Sequence, residues 1–418
     1  KLNTTGDYNI SVGTSSLDAN TTGDNNVAVG HVALGANTTG ASNVAVGFAA
    51  LDANTTAANN TAVGTNALSA NTTGALNTAL GSSALAANTT GAENIAIGYL
   101  ALTNNTTGTH NVAVGSSDGS SGATLGTNST GSQNTALGMQ ALGSNTTAAN
   151  NTAVGYQSLK ANTTGTTLTA VGESALAANT TGIRNVAVGN NSLDSNTTGQ
   201  LNVGVGFNAL QSNTTGVQNT GLGDNSLGAN TTGANNVAIG YVASDGNTTG
   251  DQNVAVGVSA LQANTTADNN TAVGFQALVF NTTGAGSVAV GKSALGANTT
   301  GAENTAVGLH ALLLNTTGTQ NVAFGSSSLD ACTTGDFNTA IGTSALGAVT
   351  TSDYNTGVGR SAGTAVTTGA NNTCIGGDAG NAITSGGSNT IIGKQAGVGG
   401  APLTTGDSNT FVGFNVIA

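Results

Sequence analysis

The chain has 418 residues, a formal net charge of −12 at pH 7 and only six Lys and Arg residues, which form no cluster. Nucleic-acid binding requires a basic surface that neutralises phosphates, so this composition excludes that class of protein. No apolar run approaches the roughly 20 residues of a membrane-spanning helix, so no membrane span is predicted.

The chain begins at Lys1 and ends at Ala418 inside copies of a repeated unit, not with a signal peptide or a closing element. We therefore expect it to be a segment of a longer chain, with any secretion signal or anchor outside it.

One five-residue stretch organises the sequence. It reads Asn-Val-Ala-Val-Gly at 26–30 and recurs with a step of 17 residues from Asn9 to Asn409. A fixed short period predicts a repeat architecture that grows by stacking units. The interpretation is one continuous repeat domain over 1–418 with about 24 coils.

The coil positions are numbered from the leading Asn as position zero. Positions one to three, for example Val27, Ala28 and Val29, are Val, Thr or Ile, then mostly Ala, then an apolar residue. Alternating side chains of a strand point to opposite faces. Because neither face carries charge, we predict a short strand with both faces covered.

Position four is Gly in every copy, as in Gly30. This constancy indicates a backbone that needs positive φ or has no room for a Cβ atom. Positions five and six vary and form a corner. Leu34 and its equivalents at position eight are predicted to begin a second short strand, which a turn then follows.

Each unit is thus predicted to form a strand, a corner, a second strand and a turn, because its apolar residues do not recur with the period of a helix. The predicted fold is all-β: a parallel β-roll or β-solenoid of 17-residue coils. The step lengthens near 116–123 and near 398–402, and we interpret both insertions as loops.

The block Asn37-Thr38-Thr39 fits the N-glycosylation pattern and recurs along the chain. The alternative is an inward ladder of stacked Asn side chains. Near the C-terminus this position becomes apolar while Leu at position eight becomes Gly, which indicates volume compensation in a shared core. The ladder is therefore favoured, with these members named for it: Asn37, Asn54, Asn71, Asn88 and Asn162.

Residues for catalysis or cofactor binding are not grouped in the sequence. The three His residues are far apart, and the loop Asp residues lack a calcium-binding pattern. Cys332 and Cys374 read as small core substitutes and predict neither a disulfide framework nor a metal site. We expect a protein that is not an enzyme and that uses no cofactor or metal.

The run Asn-(Val/Thr)-Ala-(Val/Ile)-Gly-x-x-(Ala/Ser) resembles the head repeat of YadA-like trimeric autotransporter adhesins, and similar repeats occur in phage tail fibres. The resemblance covers nearly all of the chain. It implies a left-handed parallel β-roll and a homotrimer with the motif strand inside. The family unit is usually shorter, and the Asn-Thr-Thr-Gly block is an addition to it.

The resulting hypothesis is a structural extracellular fibre or adhesin head module that mediates surface attachment and binds a host, matrix or surface receptor. It would lie at the cell surface, anchored in the outer membrane through regions outside this segment, or belong to a phage or another filament. The alternatives are an ice-binding β-solenoid, because threonines recur regularly, and a glycosylated surface filament.

A candidate binding patch follows from apolar residues at positions that are elsewhere small or polar. The alternative role for its aromatic residues is packing between chains of the trimer. Its members are Phe207, Tyr241, Phe275, Val279, Phe280, Leu313 and Leu314.

Overall fold

The computed structural model describes residues 3–117, 122–398 and 404–417. It is an all-β parallel β-solenoid with about 17 residues per coil. The chain divides into two compact units, Lys1–Thr215 and Gly216–Ala418. Of the predicted insertions, residues 118–121 and 399–402 lie outside the described residues.

The described residues of the first unit form twelve strands of three residues each. They are β1 (Ile10–Val12), β2 (Val27–Val29), β3 (Val44–Val46), β4 (Thr61–Val63), β5 (Thr78–Leu80), β6 (Ile95–Ile97), β7 (Val112–Val114), β8 (Thr135–Leu137), β9 (Thr152–Val154), β10 (Thr169–Val171), β11 (Val186–Val188) and β12 (Val203–Val205).

In the second unit, the part of the chain that the structure describes forms twelve more strands of the same length. They are β13 (Thr220–Leu222), β14 (Val237–Ile239), β15 (Val254–Val256), β16 (Thr271–Val273), β17 (Val288–Val290), β18 (Thr305–Val307), β19 (Val322–Phe324), β20 (Thr339–Ile341), β21 (Thr356–Val358), β22 (Thr373–Ile375), β23 (Thr390–Ile392) and β24 (Thr410–Val412).

Within each unit, successive strands pair in parallel and in register. Val27 lies beside Val44 and Ala28 beside Ala45, so equal repeat positions stack. The register holds across the first insertion, where Val112 pairs with Thr135. The extra residues therefore leave the strand pairing intact, as the loop interpretation predicts.

The interior of a coil is narrow and contains both apolar and polar side chains. In the coil that starts at Asn43, the residues at positions zero, two, seven, eight and eleven are all 0% exposed: Asn43, Ala45, Ala50, Leu51 and Asn54. Burial of Ala and Leu supplies the hydrophobic stabilisation. The two Asn side chains must find hydrogen-bond partners in the same space.

The prediction of a second strand from position eight is wrong. Each coil of the described residues has one strand, and turns follow it. Ala49 and Leu51 have φ of 53° and 51°, in the left-handed region. These two reversals let the adjacent residues Ala50 and Leu51 both face the interior, whereas a strand would point them to opposite faces.

Neighbouring coils hold this unusual backbone in place. The amide of Leu51 donates to the carbonyl of Ala67 at 3.1 Å, and the amide of Ala49 donates to the carbonyl of His31 at 3.0 Å. Coil-to-coil hydrogen bonds therefore continue outside the strands, and they offset the cost of left-handed φ at Leu.

Gly30 shows why position four never varies. Its φ is 138°, and a Cβ atom there would lie 2.3 Å from the carbonyl oxygen of Gly47 in the next coil. Both reasons inferred from the sequence hold: the backbone conformation favours glycine, and stacking leaves no space for a side chain.

The prediction that both strand faces are covered is wrong for the single chain. Ala28 and the other Ala residues at position two face the interior at 0% exposure, but positions one and three face outwards. Leu80 is 47% exposed and Phe324 is 56% exposed. A single solenoid encloses only one face of its strands, so an apolar outer face remains.

We expect Ala153→Glu to unfold the first unit locally, because Ala153 is 0% exposed inside the coil and an unpaired buried charge is costly. The predicted loss is more than about 3 kcal/mol in the free energy of unfolding, measured by chemical denaturation. Thr65→Glu, at an exposed position, is the matched control and should change stability little. Equal stability of the two variants would contradict this assignment of the interior.

Candidate interaction surfaces and the ladders that support them

A ladder of Asn side chains runs through the interior at position eleven. The Asn37 side-chain amide donates to Asn20 Oδ1 and to the Gly40 carbonyl, each at 2.9 Å. The other residues named for the ladder make the same two kinds of bond: Asn54, Asn71, Asn88 and Asn162.

The hydrogen bonds of this ladder occupy the nitrogen atoms to which N-linked glycans would be attached. Asn88 is 0% exposed, and its Nδ2 uses both hydrogens, one to Asn71 Oδ1 and one to the Gly91 carbonyl. A glycan on Nδ2 would displace one of these bonds and would need space that the interior does not have. The folded chain therefore does not present these Asn side chains for glycosylation.

The sequence reasoning missed a second ladder at position zero. The backbone amide of Asn43 donates to Asn26 Oδ1 at 3.0 Å, and Asn43 Nδ2 donates to the Ala57 carbonyl at 2.9 Å. The signal was present, because Asn recurs there in nearly every copy. This ladder joins the start of the strand to the turn at the end of the same coil.

The position-eleven ladder has one polarity, and in the second unit it ends at Asn315. Each side-chain amide donates to the oxygen of the preceding coil, as Asn315 does to Asn298 at 2.8 Å. The next coil has Cys332, whose thiol donates to the Gly335 carbonyl. Asn315 Oδ1 is therefore buried without a hydrogen-bond partner.

Beyond Cys332 the same position becomes apolar. Val349, Val366 and Ile383 are 0% exposed, whereas Leu403 lies outside the described residues. At position eight of these coils, a Cβ atom on Gly380 would lie 3.3 Å from Ile383 Cδ1. The space left at position eight is thus filled from position eleven, as the sequence indicated, and at Gly380 also by Cys374 Sγ, which would lie 2.5 Å from the same Cβ atom.

Both cysteines are buried and free. Burial raises the pKa of the Cys332 thiol to about 11 and that of the Cys374 thiol to about 12. Thiols with such pKa values stay protonated near neutral pH and are poor nucleophiles. They act as small core side chains.

The two threonines of each block differ in their environment. Position twelve forms an inner threonine column, in which Thr38 Oγ1 donates to the Thr55 carbonyl of the next coil at 3.0 Å. Position thirteen forms an outer threonine column, to which Thr39 belongs, and its side chains are exposed. The inner hydroxyls are committed to the backbone, and the outer ones face solvent.

The outer face of the strands is an extended apolar surface of each unit. Positions one and three of all the strands are Val, Thr, Ile, Leu or Phe, without a single charged residue. Exposed members include Leu137 at 46%, Leu222 at 44% and Ile341 at 41%. A charge-free face of this extent is typical of a surface that another molecule covers.

The structure separates the predicted binding patch into two groups. Phe207, Tyr241 and Phe275 occupy position five and are 49%, 57% and 47% exposed. Phe280 and Leu314 occupy position ten and are 60% and 48% exposed. Phe207 belongs to the first unit and the others to the second.

The prediction that Val279 belongs to the exposed patch is wrong. It was expected to point outwards, but it is only 8% exposed. It lies next to the buried Leu278 at the end of the inward-facing segment, and its side chain is shorter than that of Phe280. Leu313, at the same repeat position, is intermediate in exposure, so Phe280 and Leu314 carry most of this group.

Two further members of the position-five group were missed. Val258 and Leu309 are 42% and 47% exposed, and they complete a stripe over five consecutive coils with Tyr241, Phe275 and Lys292. The Nζ of Lys292 lies 6.0 Å from the centre of the Phe275 ring. The sequence prediction included only the aromatic residues at position five and therefore missed these two aliphatic ones.

Acidic residues lie mainly in the turns. Asp251 Oδ1 accepts a hydrogen bond from the Ala234 amide at 2.7 Å and so links neighbouring coils. Partial burial raises the pKa of the Asp194, Asp245 and Asp330 carboxyls. Across the described ranges there is no group of residues that could hold a metal ion, no pocket, and no helix able to span a membrane.

No protein-family model matches the chain, and no curated protein is similar to it in sequence. The class is therefore defined by the structure alone: a parallel β-solenoid repeat protein.

We expect Asn162→Asp to destabilise the first unit, because the carboxylate cannot donate to Asn145 Oδ1 or to the Gly165 carbonyl. Unmade buried hydrogen bonds cost about 1–3 kcal/mol each, and this should appear in chemical denaturation. The control is Asn150→Asp, at an exposed position where the same change should have little effect. A loss of equal size at both sites would argue against the ladder.

Proposed function

We propose that this chain is a structural module of an extracellular fibre or adhesin head and that it assembles as a homotrimer through the outer face of its strands. The observation that carries the proposal is the charge-free apolar face formed by positions one and three. Together with the resemblance to YadA-like head repeats, it favours association of like chains along this face.

The distribution of charge supports copies of the same chain as the partner. The molecule carries a net charge of −12, and its acidic residues lie outside the strand face. Identical chains can approach one another there without opposing charges, while the acidic turns stay in water. Burial of the apolar face would supply the driving force for association.

The narrow interior supports a mechanical role. Each coil bonds to its neighbours through strand pairs, Asn ladders and turn amides, for example Asn71 to Asn54 at 3.0 Å. Such a repeat forms a rigid scaffold on which position five, exposed in most coils, and the less exposed positions nine and ten vary freely. A fibre that displays attachment groups needs this division between constant interior and variable surface.

The two alternative functions receive less support. A glycosylated filament conflicts with the buried position-eleven Asn side chains. Ice binding favours a flat array of several threonine columns, but the inner threonine hydroxyls donate to backbone carbonyls, as Thr72 does to Thr89 at 3.1 Å. A thermal-hysteresis measurement on the purified chain tests ice binding directly.

Light scattering of the purified chain should give a molar mass about three times the 39.8 kDa of one chain. Val256→Glu combined with Val273→Glu should reduce the particle to a folded monomer, because two charges would be placed in the outer face of β15 and β16. A monomeric wild-type chain would rule out the trimer.

The matched control places the same charges elsewhere on the same two coils. Thr266→Glu with Thr283→Glu changes exposed residues outside the strand and should leave the trimer intact. Circular dichroism of both variants checks that β-structure is retained, so that loss of assembly is distinguished from unfolding.

Adhesion is tested at the exposed position-ten residues. Phe280→Ser with Leu314→Ser should reduce attachment of the assembled fibre to receptor-bearing surfaces, because both side chains are exposed and apolar. The control is Val279→Ala, at a buried neighbour. Unchanged attachment by an intact trimer would leave this group without an adhesive role, and loss of the trimer would assign it to packing.

A further inference from the structure

The outer threonine column is constant where the rest of the surface varies. In the first unit every coil has Thr at position thirteen, and all of these side chains are exposed: Thr5, Thr22, Thr39, Thr56, Thr73, Thr90, Thr107, Thr130, Thr147, Thr164, Thr181, Thr198 and Thr215. In the second unit only Ser385 departs from Thr, and it keeps the hydroxyl.

Position five provides an internal comparison, because it is also exposed in most coils. There, consecutive coils of the first unit have His31, Phe48, Thr65, Ser82 and Tyr99. The copies of the repeat have therefore diverged freely at one exposed position and not at another. Position thirteen is therefore under a constraint to keep a hydroxyl-bearing side chain, and position five is not.

Folding does not account for that requirement. The hydroxyls of the inner threonine column bond to carbonyls of the next coil, as Thr55 does to Thr72 at 3.2 Å. Throughout the described residues, the outer threonine column makes no such side-chain bond. Its hydroxyls remain able to donate and accept hydrogen bonds with another molecule.

The shape and charge of the column restrict the ligand. Within each unit, coils stack at about 4.8 Å, so the free hydroxyls of that unit form a single line with that repeat. A single line fits an extended chain better than a flat crystal face. Position fifteen, two residues further on, has Asp7 and Asp24, and the molecule is acidic overall, which disfavours an anionic ligand.

We propose that the outer threonine column binds a neutral, extended, β-linked polysaccharide that lies along the column. An extended β-linked chain carries hydroxyl groups along its whole length, so it can bond to the threonines of several neighbouring coils. Each contact is weak, and affinity arises from many simultaneous contacts. This site is separate from the strand face, so it goes beyond the proposed assembly and does not require it.

The test is co-sedimentation of the full-length chain with microcrystalline cellulose. A variant with Thr→Val in every second coil of the first unit and in four alternating coils of the second unit keeps the side-chain shape but interrupts the run of hydroxyls in each unit. Binding should fall at least about tenfold, because many hydrogen bonds in register are lost. The substituted residues are Thr22, Thr56, Thr90, Thr130, Thr164, Thr198, Thr249, Thr283, Thr317 and Thr351.

The matched control carries Ser at the same ten positions, which keeps every hydroxyl and should bind within about threefold of wild type. Wild-type binding to amylose, whose α-linked chain is not extended, should be much weaker than to cellulose, and this comparison does not depend on any variant folding. Equal cellulose binding by the Val and Ser variants, equal binding to both polysaccharides, or no cellulose binding by wild type would overturn the proposal.

Discussion

Hydrogen bonding between identical positions of successive coils is the interaction on which the rest of the structure depends. The strands contribute only three residues per coil, too few to hold a coil by themselves. The remaining hydrogen bonds between coils lie outside the strand and include the side-chain ladder, in which Asn54 donates to Asn37, and the turn amides, such as that of Leu51, which donates to Ala67. Each ladder requires the others to stay in register.

This constraint explains why so small an interior can contain so many polar groups. A lone buried Asn is costly, but a stack of them satisfies donors and acceptors in turn. The cost reappears only where the stack stops. Asn315 Oδ1 faces Cys332 and has no partner, and beyond that point Val349 and Val366 convert the column to an apolar one. One unpaired oxygen is the cost of exchanging a polar column for an apolar one.

The narrow interior of each coil also creates the outer surfaces for which functions are proposed. A coil can enclose only one face of its strand, so Val27 and Val29 remain on the outside while Ala28 is buried. The charge-free outer face, the position-five stripe and the outer threonine column are three distinct surfaces of one repeat. The first suits association of like chains, and the last suits an extended ligand.

The sequence by itself determined the repeat length, the parallel strand at positions one to three, the requirement for Gly30 and the volume exchange near Gly380. These features leave a periodic record, because stacking in register forces equal residues to share an environment. Asn recurs at position zero in the same periodic way, but only the structure showed that these side chains form a hydrogen-bonded ladder.

Only the tertiary structure showed which path the backbone takes after the position-four glycine and which side chains point inwards or outwards. Positive φ at Ala49 and Leu51 replaces the predicted strand, because stacked coils hold a backbone that local preferences disfavour. Burial of Val279 beside the exposed Phe280 likewise depends on where the chain turns outwards. Amino-acid type records that a position is apolar, but the direction in which its side chain points is set by the coils above and below.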